Sequence, residues 1–86
     1  MNITLTSDAA KQFDKLPLSI KARVQKIFVR LAAWPNVSGA KPLRHELAGK
    51  FRIRTGDYRV QFYVIETEST LVIERIGHRD GFYDGQ

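Results

Sequence analysis

The segment at residues 51–63 restricts the fold of this chain most strongly, because two alternating runs of apolar and polar residues flank a short link. The link at residues 55–57 reads Thr-Gly-Asp, and a turn-prone link between alternating runs predicts a β-hairpin. Successive side chains of a strand point to opposite faces, so the apolar residues of the hairpin should share one face. We therefore expect Arg52, Arg54 and Arg59 to lie together on the other face.

A first strand is predicted at residues 2–6, where apolar and polar residues alternate, and two helices should follow it. Thr6 or Ser7 can cap a helix that extends to about Lys15. Pro17 interrupts this helix, because proline lacks the backbone N–H that a helix interior requires. A second, longer helix should follow, since apolar residues recur there at helical spacing. These residues are Ile20, Val24, Ile27, Phe28 and Leu31.

The remaining predicted elements complete a small sheet. Trp34 and Pro35 should close the second helix, because a residue before proline disfavours helical backbone, and Trp34 is expected to cap the core. Residues 36–41 are expected to form a loop, and residues 71–76 a strand that ends at Gly77. The predicted order is β-α-α-β-β-β. This is an α+β fold in which two N-terminal helices pack on one face of a small, mostly antiparallel, twisted sheet.

The length and composition indicate one domain at residues 1–86. The absence of cysteine excludes disulfides and is compatible with a reducing cytoplasm. No apolar segment approaches the roughly 20 residues of a membrane-spanning helix, and the N-terminus does not resemble a signal peptide. We therefore expect a cytoplasmic protein without a membrane partner.

The positive charge of the chain is concentrated around the hairpin. The sequence has 14 Lys and Arg residues against 9 Asp and Glu residues, a formal net charge of +5. From Lys41 to Arg59 there are six basic residues and two acidic ones. Such a cluster favours a polyanionic partner, either nucleic acid or an acidic protein segment. The alternative is an ordinary solvated basic surface.

Metal-dependent and nucleophilic chemistry have little support in the sequence. His45 and His78 lack the spacing with carboxylates that a zinc or iron site requires, so no metal is expected. There is no nucleophile elbow and no glycine-rich phosphate-binding loop, and no cofactor is expected. The cluster of arginines with aromatic neighbours and two histidines is instead suited to holding a phosphodiester.

Five short segments and one aromatic residue occur in a specific order and spacing. They are Lys41-Pro42-Leu43, Leu47-Ala48-Gly49, Phe51-Arg52-Ile53-Arg54, Gly56-Asp57-Tyr58-Arg59-Val60 and Arg75-Ile76-Gly77-His78-Arg79, followed by Tyr83. In these segments the chain resembles the RelE/ParE toxin superfamily, and its length and predicted element order also match. The resemblance extends from the first strand almost to the last residue.

This resemblance implies the toxin of a type II toxin–antitoxin system, with a cognate antitoxin as its partner. RelE-type members are endoribonucleases that cut mRNA in the ribosomal A site, by attack of the ribose 2′-hydroxyl on the adjacent phosphate. The implied mRNA interferase needs no metal or cofactor. Its chemistry needs a base for the 2′-hydroxyl, positive charge on the phosphate and an acid for the leaving oxygen.

The resemblance also assigns roles to residues. Arg59 would clamp the phosphate, Arg79 would support the leaving oxygen, and Tyr83 would stack on a base or orient the attacking hydroxyl. Some RelE relatives carry lysine at the positions of Arg52 and Arg54, and arginine does not readily release a proton. The base therefore stays open between a histidine, a tyrosine, a ribosomal group and purely electrostatic catalysis. The catalytic candidates are Arg52, Arg54, Arg59, Arg79, Tyr83 and His78, and the RNA-binding candidates are Lys41, Arg44, His45 and Lys50.

Two alternative functions stay open. A ParE-like toxin would inhibit DNA gyrase by binding and would not cleave RNA. A non-toxic relative or a basic RNA-binding module would use the same charged surface without either activity. The arginines favour the nuclease, with mRNA and the ribosome as partners, because an inhibitor that only binds has no need of a phosphate-directed array.

Overall fold

The computed structural model describes residues 1–82 and consists of a five-stranded sheet with two helices on one of its faces. The first strand precedes both helices, and four strands follow them. The elements are β1 (Asn2–Leu5), α1 (Ser7–Asp14), α2 (Leu18–Leu31), β2 (Lys41–Pro42), β3 (Phe51–Thr55), β4 (Tyr58–Ile65) and β5 (Thr70–His78). Short 3-10 turns at His45–Leu47 and Glu66–Glu68 lie in the β2–β3 and β4–β5 connections.

The strands lie in the order β1-β5-β4-β3-β2, so the first and last strands of the chain are neighbours. β1 pairs parallel with β5, whereas all other neighbouring strands pair antiparallel. This mostly antiparallel sheet, with helices from the N-terminal part of the chain, confirms the predicted α+β fold. The β3–β4 pair is the hairpin predicted at residues 51–63.

Both helices begin where local sequence signals place them. The side chain of Thr6 caps α1, with its Oγ1 accepting a hydrogen bond from the backbone N–H of Ala9 at 3.1 Å. Pro17 directly precedes α2, where its missing N–H costs no hydrogen bond. α2 ends at Leu31, three residues before Trp34. The starts of both helices therefore follow from capping and proline as the sequence predicts, whereas α2 ends three residues before Trp34, where the sequence predicts its end.

The edge strand β2 was not predicted. Lys41 and Pro42 pair with Arg52 and Phe51, although the sequence predicts a loop at residues 36–41. Two residues are too few to show an alternating pattern, so no local signal marks this strand. Proline is tolerated because an edge strand needs no backbone donor on its open side. The sequence therefore predicts four strands, whereas the sheet in residues 1–82 has five.

The last strand, β5, also extends further than predicted. The sequence predicts that it ends at Gly77, but Gly77 and His78 continue the pairing with β4. Gly77 pairs with Arg59, and His78 pairs with Tyr58. The extension brings the C-terminal end of β5 to the start of β4, next to the hairpin turn.

Apolar residues from the helices and the sheet form one core. Val24, Ile27 and Leu31 of α2 pack against inward-facing strand residues such as Val60 and Phe62, all of them buried. Aromatic rings cover one end of this core. The rings of Trp34 and Phe51 lie 4.8 Å apart, those of Trp34 and Phe62 5.3 Å, and those of Phe51 and Phe62 5.6 Å. The predicted role of Trp34 in the core is confirmed.

A β-bulge interrupts the pairing of β4 with β5. Gln61 pairs with Arg75, but the next residue of β4, Phe62, pairs with Ile73. Glu74 is therefore an extra residue in β5, and Glu74 and Arg75 together oppose Gln61. The bulge brings a carboxylate to the middle of the sheet, where the alternating pattern of the hairpin predicts only basic and neutral side chains.

Clustered metal ligands and membrane-spanning helices are absent from the described part of the chain. No three His, Cys, Asp or Glu side chains among residues 1–82 lie close enough to hold a metal ion. None of the helices in that range is long and apolar enough to cross a membrane. The most distinctive surface is the sheet face that the helices leave open.

Candidate functional site

Cross-strand pairing gathers the predicted arginines on the open face of the sheet. Directly paired residues of neighbouring strands point to the same face. In one row, Lys41 pairs with Arg52 and Arg52 with Gln61. In the next row, Arg54 pairs with Arg59. We call the surface formed by Lys41, Arg52, Arg54 and Arg59 the basic face.

Two arginines of the basic face have no internal partner. Arg52 is half-buried and Arg54 is exposed, and neither makes a hydrogen bond or ion pair with another residue in the range 1–82. Arg54 also lies directly opposite Arg59, and like charges in this arrangement destabilise a sheet. A protein that keeps such an arrangement holds positive charge that an external anion can neutralise.

The hairpin turn holds two further arginines of the predicted site. Nη1 of Arg59 donates to the carbonyl oxygens of Gly56 at 3.1 Å and Tyr58 at 3.3 Å. The backbone N–H of Arg79 donates to the carbonyl oxygen of Asp57 at 2.7 Å. Gly56 has a φ of +55°, a conformation that favours glycine, so the tight turn depends on this residue. Arg59 and Arg79 are therefore held at the same end of the sheet.

Two carboxylates surround the predicted His78 and Arg79. Nε of Arg79 lies 3.7 Å from Oδ1 of Asp57 and 3.9 Å from Oδ1 of Asp80. Nδ1 of His78 accepts the backbone N–H of Asp80 at 3.1 Å, and the His78 ring meets Tyr58 edge-on at 5.3 Å. All these charged side chains are exposed, so the ion pairs are weak and are screened by salt. The guanidinium group of Arg79 is therefore held only weakly by these carboxylates.

The other predicted site residues differ in their surroundings. Lys41, Arg44 and His45 are exposed and make no side-chain hydrogen bond or ion pair within residues 1–82. Lys50 is different, since its Nζ lies 2.9 Å from Oε2 of Glu74. Lys50 is thus neutralised within the protein, while the other three basic side chains are available to a ligand. Tyr83 lies outside the described residues.

A buried polar network that the sequence analysis missed lies beside the basic face. Gln61 is 1% exposed, and its Nε2 donates to Oε1 of Glu74 at 2.6 Å. The other oxygen of Glu74 accepts from Lys50, so both carboxylate oxygens are engaged. The remaining atom of the amide, Oε1 of Gln61, is buried and has no hydrogen-bond partner in the described chain. The bulge at Glu74 creates this network, and no hairpin pattern could have indicated it.

The network changes the acidity of its carboxyl group. Burial raises the pKa of Glu74, whereas hydrogen bonds from Lys50 and Gln61 lower it. The charges of Lys50 and Arg75 lower this pKa further, so that the net pKa of Glu74 lies below its ordinary value of 4.5. Glu74 is therefore ionised at neutral pH and neutralises part of the positive charge beside it.

Glu74→Gln is expected to lower the free energy of unfolding by about 1 kcal/mol at neutral pH and by less in acid. The folded-state pKa of Glu74 lies below the unfolded-state value, so the unfolded chain binds the proton more readily as the pH falls. The stability from this ion pair is complete above about pH 5 and is lost as the pH falls through the folded-state pKa. Urea denaturation near neutral pH and in acid measures the difference.

A matched variant separates this effect from the loss of any acidic side chain. Glu68 is exposed and its side chain has no partner in residues 1–82, so Glu68→Gln removes the same charge without breaking an ion pair. The control should change stability little at either pH. Equal losses for Glu74→Gln at both pH values would contradict the assigned pKa shift.

Arg23 is a second residue that sequence analysis did not place near the site. It lies on α2, on the other side of the sheet, yet a Cβ atom at Gly56 would lie 3.3 Å from its Nη1. Arg23 therefore reaches the same hairpin turn that Arg59 contacts from the basic face. The helical pattern indicates only that Arg23 lies off the apolar stripe, so its contact with the turn depends on how α2 packs.

The two helices, the strand order and the open basic face define the class of small RelE-like α+β proteins. The RelBE2 toxin–antitoxin complex of Mycobacterium tuberculosis contains a chain with this fold, at a TM-score of 0.80 and 38% identity over 91% of this chain and 90% of that chain. The isolated RelE toxin of E. coli gives a TM-score of 0.76 at 18% identity over 90% of this chain and 82% of that chain. At that identity the likeness shows the fold alone.

The chain belongs to the family of ParE toxins of type II toxin–antitoxin systems (parDE), which it matches over residues 3–81. It is 39% identical over 82 residues to Toxin RelG of M. tuberculosis, covering 94% of this chain and 93% of that toxin. It is 34% identical over 83 residues to Toxin RelE of the same organism, covering 95% and 84%. The predicted membership of the RelE/ParE superfamily is confirmed, and the protein is a type II toxin.

Proposed function

We propose that this toxin is a ribosome-dependent endoribonuclease that cleaves translated mRNA. The observation that carries the proposal is the placement of Arg52, Arg54 and Arg59 on one sheet face without a carboxylate paired to any of them. Guanidinium groups match phosphate oxygens in charge and geometry. The relatives named RelE and RelG add support, since they favour the RelE branch of the superfamily.

In the proposed reaction, the 2′-oxygen of a ribose attacks the adjacent phosphorus and the bond from phosphorus to the 5′-oxygen breaks. The products are a 2′,3′-cyclic phosphate and a free 5′-hydroxyl. The 2′-hydroxyl proton passes to a base, and an acid donates a proton to the leaving 5′-oxygen, so that no net proton is gained or lost. The proposed reaction includes no metal or cofactor, and apart from these proton transfers the protein contributes mainly position and charge.

The residues divide between these tasks. Arg59 clamps the scissile phosphate, with Arg52 and Arg54 adding positive charge for the pentacoordinate state. Arg79 stabilises the leaving oxygen at the same end of the sheet, and Tyr83 orients the attacking hydroxyl or stacks on a base. His78 or Tyr83 is the candidate base, because an arginine retains its proton at any physiological pH. Lys41, Arg44 and His45 extend the RNA path along the edge of the sheet, whereas Lys50 is held by Glu74.

The proposed partners follow from the same surface. The RelBE2 complex of M. tuberculosis and the RelBE complex of E. coli pair a toxin with an antitoxin, and we propose a cognate antitoxin for this chain. An antitoxin with an acidic segment would neutralise the basic face and block RNA. Ribosome-dependent cleavage also places the active toxin in the cytoplasm.

A second candidate function is inhibition of DNA gyrase by binding alone. The matched family carries the name ParE, and a basic face would equally suit an acidic protein surface. The nuclease is preferred because Arg52, Arg54 and Arg59 lie on one sheet face with no carboxylate paired to them in residues 1–82, which suits a phosphodiester.

Primer extension on a translated message, with and without the purified toxin, tests the proposal. We expect 3′ ends at codon-registered positions that appear only when ribosomes translate the message. Addition of the antitoxin should suppress these cuts. An intact message together with blocked DNA supercoiling would overturn the nuclease and select the gyrase inhibitor.

A further inference from the structure

The hairpin turn at residues 55–57 is approached by a second guanidinium group, which comes from α2. A Cβ atom at Gly56 would lie 3.3 Å from Nη1 of Arg23. The carbonyl oxygen of the same glycine accepts a hydrogen bond from Nη1 of Arg59 at 3.1 Å. Given standard bond lengths, the two Nη1 atoms are at most about 11 Å apart. A helix and a strand therefore bring two positive charges to one residue of the turn.

The charge of Arg23 is not neutralised by its own helix. Arg23 is exposed and makes no hydrogen bond or ion pair with another residue in the range 1–82. α2 carries two lysines and two arginines but no Asp or Glu. On a helix surface, side chains three and four residues apart are neighbours, and those around Arg23 are not acidic. These neighbours are Ser19, Ile20, Lys26 and Ile27.

The acidic residue of the turn does not neutralise these two arginines either. Oδ1 of Asp57 lies 3.7 Å from Nε of Arg79, and its Oδ2 lies 4.0 Å from Nε2 of His78. Within residues 1–82, neither Arg23 nor Arg59 has a carboxylate at ion-pairing distance. Guanidinium groups that converge without a counter-ion repel each other, and an anion bound between them relieves this repulsion.

We infer that Arg23 binds a phosphate group of RNA at the hairpin turn, beside the scissile phosphate that Arg59 clamps. The inference rests on the proposed nuclease function, from which the role of Arg59 is taken. RNA carries a phosphate at every nucleotide, so a strand held at Arg59 presents further phosphates to a neighbouring cation. RNA is favoured over an acidic protein segment because Arg23 extends the surface that holds the phosphodiester. The message and ribosomal RNA both carry this group.

Arg23→Ala is expected to weaken the binding of the toxin to ribosomes by about tenfold, because a hydrogen bond to a charged group contributes roughly that much. The slope of log affinity against log salt concentration should fall by about 0.7 to 0.9, the contribution of one phosphate. The probe is a ribosome that carries a message with 2′-O-methyl groups, which blocks attack by the 2′-oxygen. Ribosomes without a message form the second arm of the experiment.

The two arms identify the source of the phosphate. A loss of affinity for both kinds of ribosome would support the inference and assign the phosphate to ribosomal RNA. A loss confined to ribosomes that carry the message would support it and assign the phosphate to the message. Unchanged affinity and salt slope in both arms would overturn it.

Arg30→Ala is the matched control for this variant. Arg30 lies about two turns further along α2 and is also exposed, but its Nη2 donates to the carbonyl oxygen of Ser38. The substitution removes the same group from the same helix at a distance from the hairpin turn. The control should bind ribosomes with nearly the affinity and salt slope of the wild type.

Cleavage kinetics separate phosphate binding from support of the turn. Arg23→Ala should raise the toxin concentration that gives half-maximal cleavage by about tenfold, with a much smaller change in the rate at saturation, because the bound phosphate does not react. A slower rate at saturation with unchanged affinity would overturn the inference. That result would mean that Arg23 acts by supporting the turn that holds Arg59.

The outcomes distinguish this inference from the proposed function. A wild-type protein that binds ribosomes but cuts no message overturns the nuclease, whereas the affinity and salt slope of Arg23→Ala still decide whether Arg23 binds a phosphate. Wild-type cleavage together with an Arg23→Ala variant that matches Arg30→Ala in every measurement overturns the phosphate site alone. A loss of affinity for the antitoxin only would also overturn it, since Arg23 would then meet carboxylates of a protein.

Discussion

Replacing Arg59 with alanine is expected to slow mRNA cleavage by about 100-fold to 1,000-fold while the protein stays folded. Arg59 uses one nitrogen, Nη1, for hydrogen bonds to the carbonyl oxygens of Gly56 and Tyr58. Its other two guanidinium nitrogens make no hydrogen bond within residues 1–82, so their donors are available to phosphate oxygens. Truncation removes these donors together with a positive charge beside Arg54. Primer extension measures cleavage, and growth inhibition on induction should disappear in parallel.

Arg30→Ala is the matched control for this variant. Nη2 of Arg30 donates to the carbonyl oxygen of Ser38 at 2.7 Å, so this substitution also removes one exposed guanidinium and a hydrogen bond to a backbone carbonyl. Arg30 lies on α2, however, and not on the basic face. The control should cleave mRNA at nearly the wild-type rate. Full toxicity of Arg59→Ala would show that the phosphate clamp is assigned wrongly.

Phe62→Ala is expected to lower the free energy of unfolding by about 3–5 kcal/mol. Phe62 is fully buried in β4, and its ring contacts those of Trp34 and Phe51. Alanine would leave a cavity that the surrounding rings fill only in part. Since whole domains are stable by about 5–15 kcal/mol, this loss would bring the protein close to unfolding. Urea denaturation followed by far-UV circular dichroism measures the change.

Val29→Ala serves as the comparison for Phe62→Ala. Val29 is an apolar residue of α2 that is 76% exposed, so its truncation removes little buried surface. A surface change of this kind should alter stability by less than about 0.5 kcal/mol. Similar small losses for both variants would mean that Phe62 does not pack in the core as described.

The alternating pattern of the hairpin was sufficient to predict the faces of the sheet. Side chains of a strand alternate by covalent geometry, so the burial of Ile53 and Val60 requires Arg52, Arg54 and Arg59 to point the other way. The helices were equally predictable, since capping at Thr6, proline at position 17 and an apolar stripe are local signals. The resemblance to the superfamily then assigned catalytic roles to the arginines of the sheet.

The bulge in β5 is another feature that the sequence pattern did not predict. Ile73 and Ile76 are both buried although they are three residues apart, whereas regular alternation would space them by two or four. That spacing was present in the sequence and could have indicated a bulge. It could not have shown that Glu74 would bind Lys50 and Gln61, because those partners come from a loop and from the neighbouring strand.

Local signals thus decided the elements of this protein and the face to which each arginine points, because both depend on residues adjacent in the chain. Contacts between distant segments decided the rest. The pairing of β2 with β3, the reach of Arg23 to the hairpin turn and the ion pair of Lys50 with Glu74 join residues that are far apart in the sequence. These interactions form only when the strands pair in their native register, and they determine which basic side chains remain available to bind an anion.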